Sequence, residues 1–243
     1  MSQMRLLAVL AALAALGAPA LSGTADAATQ LYTYAIEHPA YGRIGTYTDA
    51  VDESAGVTRI ESELHVAVKV LGIVVYREDA QCNKLWHGDQ LIWFRDVRTR
   101  NGRQSKVRGE ALPDRFLVTS PSGTASAPVD VVPSDPWALK HTGNGMVVST
   151  ASGVIQKVAV SAGDPTVVSV QGKPIPVRHF SVDTPTMRGK WEIWLDGSGV
   201  PIKFRSEESG TPIDFVLTAP PRPATKVSAD LSVTATTVAP DER

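Results

Sequence analysis

The sequence predicts an all-β fold, an antiparallel meander curled into a half-barrel or incomplete barrel with at most one short helix. Val, Ile and Thr, which favour strands, make up 59 of the 243 residues. Apolar and polar residues alternate with period two, and short turn signals separate the runs. These connections are too short for parallel crossovers. Because sheets of more than about ten strands curl or split, a curled sheet is expected first and a flat β-sandwich second.

The composition excludes several classes of protein. The formal net charge is −1, with 24 basic against 25 acidic residues, which argues against nucleic-acid binding. Hydrophobic residues make up 43%, enough for a real core. The single cysteine excludes an intramolecular disulfide framework and a Cys-rich metal site.

Residues 1–27 are predicted to be a secretory signal peptide. Arg5 precedes an apolar stretch at residues 6–16, which is too short to span a bilayer. The pattern Ala25-Asp26-Ala27 predicts cleavage between Ala27 and Ala28. The mature chain is therefore expected to be exported, without a transmembrane span.

The mature chain is predicted to be one β domain over residues 28–219, followed by a mobile Pro-rich tail over residues 220–243. Strands are expected at 30–37, 43–53, 57–70, 73–86, 90–100, 103–110 and 114–120, then at 146–149, 153–160, 165–171, 174–183, 189–195, 200–207 and 211–218. Residues 121–136 are predicted to form a loop. Near its end, Ser134 is expected to cap one short helix through Trp137 and Leu139.

The sequence predicts a turn or bend at each of two glycines. Asn101-Gly102 is the strongest hairpin signal, because a type I′ turn needs positive φ at both positions. The apolar run over residues 71–76 contains Gly72, which is expected to permit a bend or bulge.

No motif indicates catalysis or a cofactor. The five histidines are far apart in the sequence, so no local metal-ligand spacing exists, and the common hydrolase signatures are absent. No catalytic residue, metal or cofactor is therefore predicted. Cys82 is interpreted as a small buried hydrophobe on a strand.

One predicted hairpin, residues 91–110, is strongly basic, with six basic against two acidic residues. It could attract an anionic lipid headgroup or an acidic glycan. The favoured interpretation is a solvated hairpin whose long side chains blunt edge pairing. The basic residues are Arg95, Arg98, Arg100, Arg103, Lys106 and Arg108.

The candidate ligand-binding residues are aromatic. Trp86 and Trp93 flank the Gly88 turn, and Tyr34 belongs to a group of tyrosines in the first two strands. Trp191 and Trp194 lie on opposite faces of one late strand. Trp191 is expected to face the core with Ile193 and Leu195, which leaves Trp194 partly exposed and able to contact a ligand. The candidates are thus Trp194, Trp86, Trp93 and Tyr34.

Three segments resemble a group of proteobacterial secreted proteins of unknown function: Ala40-Tyr41-Gly42-Arg43-Ile44-Gly45, Val70-Leu71-Gly72-Ile73-Val74-Val75-Tyr76-Arg77 and Pro212-Ile213-Asp214-Phe215-Val216-Leu217. The resemblance spans about residues 30 to 218 and implies a bacterial periplasmic or secreted protein. The segment from Trp191 through Asp196 and Gly199 to Phe204 is similar, more weakly, to the periplasmic lipoprotein-carrier half-barrels. That similarity implies a concavity that holds acyl chains.

Three functional hypotheses follow. The first is a non-catalytic periplasmic protein that binds an amphiphilic or acyl ligand in a β concavity. The second is a structural or partner-docking envelope protein that uses a strand edge or the tail. The third is an enzyme with an unrecognised site. The sequence names neither the ligand nor a partner.

Overall fold

Strands dominate the computed structural model, which describes residues 28–139, 145–184, 190–208 and 210–224. The predicted signal peptide, residues 1–27, lies outside these residues, as does the tail from residue 225 onwards. Fifteen strands form one large sheet: β1 (Gln30–His38), β2 (Gly42–Ser54), β3 (Val57–Val70), β4 (Ile73–His87), β5 (Gln90–Arg100), β6 (Arg103–Ala111), β7 (Phe116–Ser120), β8 (Gly123–Ala127), β12 (Ala159–Val160), β13 (Asp164–Val170), β14 (Lys173–Asp183), β15 (Lys190–Leu195), β16 (Pro201–Glu208), β17 (Thr211–Leu217) and β18 (Arg222–Pro223).

The large sheet is antiparallel, curled and not closed, which confirms the predicted fold class. Its order is β12-β14-β15-β16-β17-β1-β2-β3-β4-β5-β6-β7-β8, with β13 beside β14 and β18 beside β1. Two meanders, β1–β8 and β14–β17, meet where β1 pairs with β17. The described tail residues add the short strand β18, where Pro223 pairs with Gln30.

The chain segment that connects the two meanders forms a second sheet of three strands. It contains β9 (Val132–Pro133), β10 (Met146–Val148) and β11 (Ile155–Lys157), and its β9–β10 pair is parallel. The prediction of a loop over residues 121–136 was therefore wrong at β8 and β9. Both strands are short, and their sequences, rich in Pro, Ala, Ser and Gly, carry little β signal.

The predicted short helix is a 3-10 helix, Pro136–Ala138, and its cap was wrongly assigned to Ser134. The Asp135 carboxylate instead accepts hydrogen bonds from the backbone N–H groups of Trp137 and Ala138, at 2.9 and 3.1 Å. A carboxylate suits this position because it accepts hydrogen bonds from backbone N–H groups at the start of the helix.

Both turn predictions are confirmed. Asn101 and Gly102 both have positive φ, 47° and 81°, in the hairpin that joins β5 to β6. The bend predicted at Gly72 is a tight one, because Leu71 and Gly72 form the two-residue turn between β3 and β4, with φ of 51° and 83°. The irregularity in this hairpin lies earlier, between Val68 and Lys69.

Three apolar clusters fill the inside of the curl. The largest packs residues of β4–β7 against the small sheet and β15, and includes Phe94 and Phe116. The second surrounds Tyr34 and Ile202. The third, centred on Ile36, is smaller and lines a cavity. Within the described residues, no helix has the length and apolar character needed to cross a membrane.

Candidate functional site

A cavity of about 590 Å³ lies on the inner face of the large sheet. Part of its lining, here called the apolar wall, comes from β1, β2, β3 and β17. Strand alternation places residues two apart on the same face, and a bulge at Ile44 in β2 brings this residue to the same face as Tyr47. The apolar wall consists of Ile36, Ile44, Tyr47, Leu64, Val66, Val68, Ile213 and Phe215.

A charged wall continues from the apolar wall on β4 and β5. At its centre the Glu78 side chain, in a residue that is only 5% exposed, accepts hydrogen bonds from the Tyr76 hydroxyl and from the guanidinium of Arg98. Arg100 donates to both carboxylate oxygens of Glu78, at 3.2 and 3.3 Å. Arg98 also lies 3.5 Å from the carboxylate of Asp96. The charges on this wall are therefore paired with one another.

The pKa values of the two acids on the charged wall move in opposite directions. Burial opposes the ionisation of Glu78, but the Tyr76 hydroxyl and the two arginines outweigh it and lower the pKa. Burial raises the pKa of Asp96, and the nearby Arg98 offsets this only in part.

A buried polar network forms the floor of the cavity. The Lys84 ammonium donates to the Asp135 carboxylate at 2.7 Å and to the Ser62 hydroxyl oxygen at 3.2 Å. The Ser62 hydroxyl donates to Asp49 at 2.6 Å, and the Trp137 indole N–H donates to the other Asp49 oxygen at 2.8 Å. This network ties β2, β3 and β4 to the 3-10 helix.

Two ionisable groups on the floor, Lys84 and Cys82, have raised pKa values. Burial acts to lower the pKa of Lys84, but the charges of Asp135 and its neighbours outweigh it and raise that pKa. Cys82 is buried, as predicted, and this burial raises its pKa to about 12. Among the described residues, no three His, Cys, Asp or Glu side chains converge as metal ligands.

Trp194, the first predicted ligand-binding residue, does not line this cavity. Its ring stacks on His179 with ring centroids 4.5 Å apart, and the Lys203 ammonium lies 4.9 Å from its centroid. Lys203 is its direct cross-strand partner, and Arg205 lies 5.9 Å from the ring centroid. Trp194 is half-buried among these polar partners, on the face of β15 opposite to Ile193.

The structure does not bring the other three predicted residues together at the cavity. Tyr34 is fully buried, and its hydroxyl donates to the Pro201 carbonyl at 2.9 Å. Trp86 is buried and lines a second cavity of about 340 Å³. Trp93 is half-buried opposite Leu85, because a bulge places it and Trp86 on different faces. Ligand binding by these four residues stays a prediction.

Sequence reasoning did not identify the cavity residues as a group. Trp191, expected to face the core, does lie on that side with Ile193, but it is half-buried and lines the cavity. Arg98 and Arg100 were recognised as part of a basic hairpin, whereas their partner Glu78 lies on the neighbouring strand. A cross-strand count from the Gly88 turn does not relate them, because a bulge between Leu85 and Trp86 shifts the register by one residue.

The fold and the cavity together define a β-barrel-like protein: an open, curled antiparallel sheet with a cavity on its inner face. The chain belongs to a family described as a domain of unknown function (DUF6134), whose model matches residues 42–218. It is similar in structure to a β-barrel-like protein of the domain of unknown function DUF1849 from Brucella abortus. The TM-score is 0.57 at 11% identity, over 79% of this chain and 96% of that chain. This likeness concerns the fold alone. The comparison with curated proteins gives no match.

Proposed function

We propose that this protein is a non-catalytic, exported bacterial protein, periplasmic or secreted, that binds an amphiphilic or acyl ligand in the cavity of the curled sheet. The observation that carries the proposal is the lining of that cavity, which joins an apolar wall to a charged wall. The resemblances noted in the sequence, to secreted proteins and to lipoprotein carriers, imply the same compartment and ligand class.

The two walls match the two parts of an amphiphile. The apolar wall is a continuous aliphatic and aromatic surface, suited to an acyl chain. On the charged wall, half of the Arg100 side chain is exposed, so it can meet a polar headgroup while it stays bonded to Glu78. The volume of about 590 Å³ falls within the usual range for small-molecule sites, roughly 300–1,000 Å³.

The chemistry of the floor supports a binding role over catalysis. Ser62 and Lys84 are in contact, but the serine donates its proton to Asp49. The raised pKa of Lys84 keeps that amine protonated, so it cannot act as a base. Cys82, with a pKa of about 12, stays a thiol at neutral pH. Neither the Ser62 hydroxyl nor the Cys82 thiol is therefore activated as a nucleophile.

The proposal is tested with cis-parinaric acid, a fatty acid whose fluorescence rises in an apolar site. The wild type should bind it saturably. Val66→Glu places a charge on the apolar wall and should weaken binding by about tenfold or more. Ala67→Glu is the matched control, because Ala67 is exposed on the same strand and absent from the cavity lining. It should bind as the wild type does.

A second variant separates loss of the cavity from loss of the fold. Val66→Trp narrows the cavity without adding charge, and it should weaken probe binding while thermal unfolding stays cooperative. Equal binding by Val66→Glu, Val66→Trp and the wild type would contradict the proposal. So would the absence of probe binding by the folded wild type.

A further inference from the structure

The ladder between β3 and β4 continues past the last pairs that these strands make with their other neighbours. The last pair between β2 and β3 is Gly45–Val66, and the last between β4 and β5 is Glu78–Arg100. Residues 67–76, called the arm, therefore pair only with each other. Val68, at the foot of the arm, packs against the cluster around Ile36, whereas residues 70–75 are exposed.

The arm is covered with exposed aliphatic side chains. Leu71, at the tip, is 98% exposed, and Ile73 is 69% exposed. Val70, Val74 and Val75 are also exposed. Most large apolar side chains that the structure describes as exposed belong to this one hairpin. Apolar residues concentrated in this way mark an interaction site.

These side chains point in several directions. Val70 and Ile73 form a cross-strand pair on one face, Val74 pairs with Lys69 on the other, and Leu71 caps the end. A protein surface would cover one face or one edge of such an arm. A fluid apolar phase covers all of it, because lipid chains surround an inserted group. The distribution therefore favours a bilayer.

Basic residues surround the base of the arm. The turn between β5 and β6 is fixed there, since the Asn101 backbone N–H donates to the Arg77 carbonyl at 2.9 Å. Four basic residues, called the basic collar, face two acidic ones, Glu78 and Asp79. Asp79 bonds to Arg77 at 2.8 Å, and buried Glu78 bonds to Arg100. The collar consists of Arg77, Arg100 and Arg103 at the base of the arm, together with Lys69 on the arm itself, opposite Val74.

We infer that the arm inserts into the surface of a bilayer containing anionic phospholipids, with the basic collar at the headgroups. Apolar insertion of about 5–10 Å and attraction of basic residues to anionic lipid are the two contributions that hold a protein at such an interface. The exposed strand residues 73–75 span roughly 10 Å, which is within this depth. The inference stands whether or not the cavity binds a ligand, although the inner face of β3 carries apolar residues from the arm into the apolar wall.

The inference is tested by co-sedimentation of the purified mature protein with vesicles. Vesicles of phosphatidylethanolamine and phosphatidylglycerol should bind the wild type, and added salt should weaken binding because it screens the collar. Leu71→Asn should reduce the partition coefficient by about tenfold or more, since burial of a leucine contributes that much. Asparagine tolerates the positive φ at this position, so the turn is kept.

Val167→Asn is the matched control. Val167 is 60% exposed on β13, outside the arm, and its loss should leave vesicle binding unchanged. Val66→Trp should also bind vesicles normally, which separates this result from failure of the cavity proposal. Equal binding by Leu71→Asn and the wild type would overturn the inference. So would a wild type that ignores vesicles, or one that self-associates through Leu71 instead.

Discussion

The two ends of the β3–β4 hairpin have opposite relations to solvent. At the base, Lys84 is 3% exposed and Ser62 is 5% exposed, although both are polar. At the tip, Leu71 is 98% exposed, although it is apolar. Both ends follow the same antiparallel ladder. Residue type therefore does not decide burial along this hairpin.

Burial along the hairpin depends instead on whether a second layer of the protein packs over it. The 3-10 helix lies over the inner face of the base, where Asp135 meets Lys84 and Trp137 meets Asp49. At the arm, neither β2 nor β5 pairs with the hairpin. A polar side chain that the helix buries needs hydrogen-bond or ion-pair partners within the protein. An apolar side chain that nothing in the protein covers can be buried only by a partner molecule or a bilayer.

We expect the largest loss of stability from a substitution in the buried polar network around Lys84. Lys84→Met removes the cation and leaves Asp135 buried without its partner, which should lower the free energy of unfolding by about 3–5 kcal/mol. Urea denaturation measures this change. Lys106→Met is the control, because Lys106 is exposed on β6, and it should stay within about 0.5 kcal/mol of the wild type. A tolerated Lys84→Met would show that the network is not structural.

The charged wall should give an intermediate, pH-dependent effect. Glu78→Gln replaces the carboxylate that binds two arginines, and should cost about 1.5–3 kcal/mol at pH 7. The folded-state pKa of Glu78 is lowered, so its stabilisation is complete above the ordinary value of 4.5 and disappears as pH falls through the lowered pKa. Urea unfolding of both proteins across this range tests the sign, and a difference independent of pH would contradict it.

A substitution at the tip should change the free energy of unfolding least, and should raise it rather than lower it. Leu71→Asn should raise the free energy of unfolding by up to about 1 kcal/mol, because leucine is strained at a φ of 51° and its side chain is almost fully exposed. Thermal unfolding measures the gain. The same change at buried Leu91 should cost about 3 kcal/mol or more. Loss of stability at Leu71 would mean that its side chain packs against the protein.

The sequence was sufficient to predict most strands, because local alternation and turn residues specify them. The Asn101-Gly102 turn fixed the register of β5 and β6. Strands β8, β9 and β18 were missed because they are short and their sequences carry little β signal. Of these, β18 also depends on pairing with the distant strand β1, whereas β8 pairs with its neighbour β7. Even Asp135 could be mistaken for an ordinary loop residue, since its role depends on Lys84, 51 positions earlier.

The cavity could not be predicted, largely because of one bulge. Counted from the β4–β5 turn without interruption, Glu78 would pair with Thr99. The bulge between Leu85 and Trp86 shifts the register by one residue, so that Glu78 pairs with Arg100. A one-residue shift moves every later side chain to the other face. Local sequence gives no clear sign of this bulge, and the apolar wall also needs β17, at the far end of the chain.

The position of β1 gives the fold a particular order of assembly. Each meander can form from neighbouring hairpins, whose ladders close short loops. The β1–β17 ladder, in contrast, joins Tyr34 to Leu217 and closes almost the whole domain into a loop. Such distant contacts form slowly in comparison with local ones. The apolar wall takes residues from both of these strands, so the cavity is complete only after the first and last long strands have met.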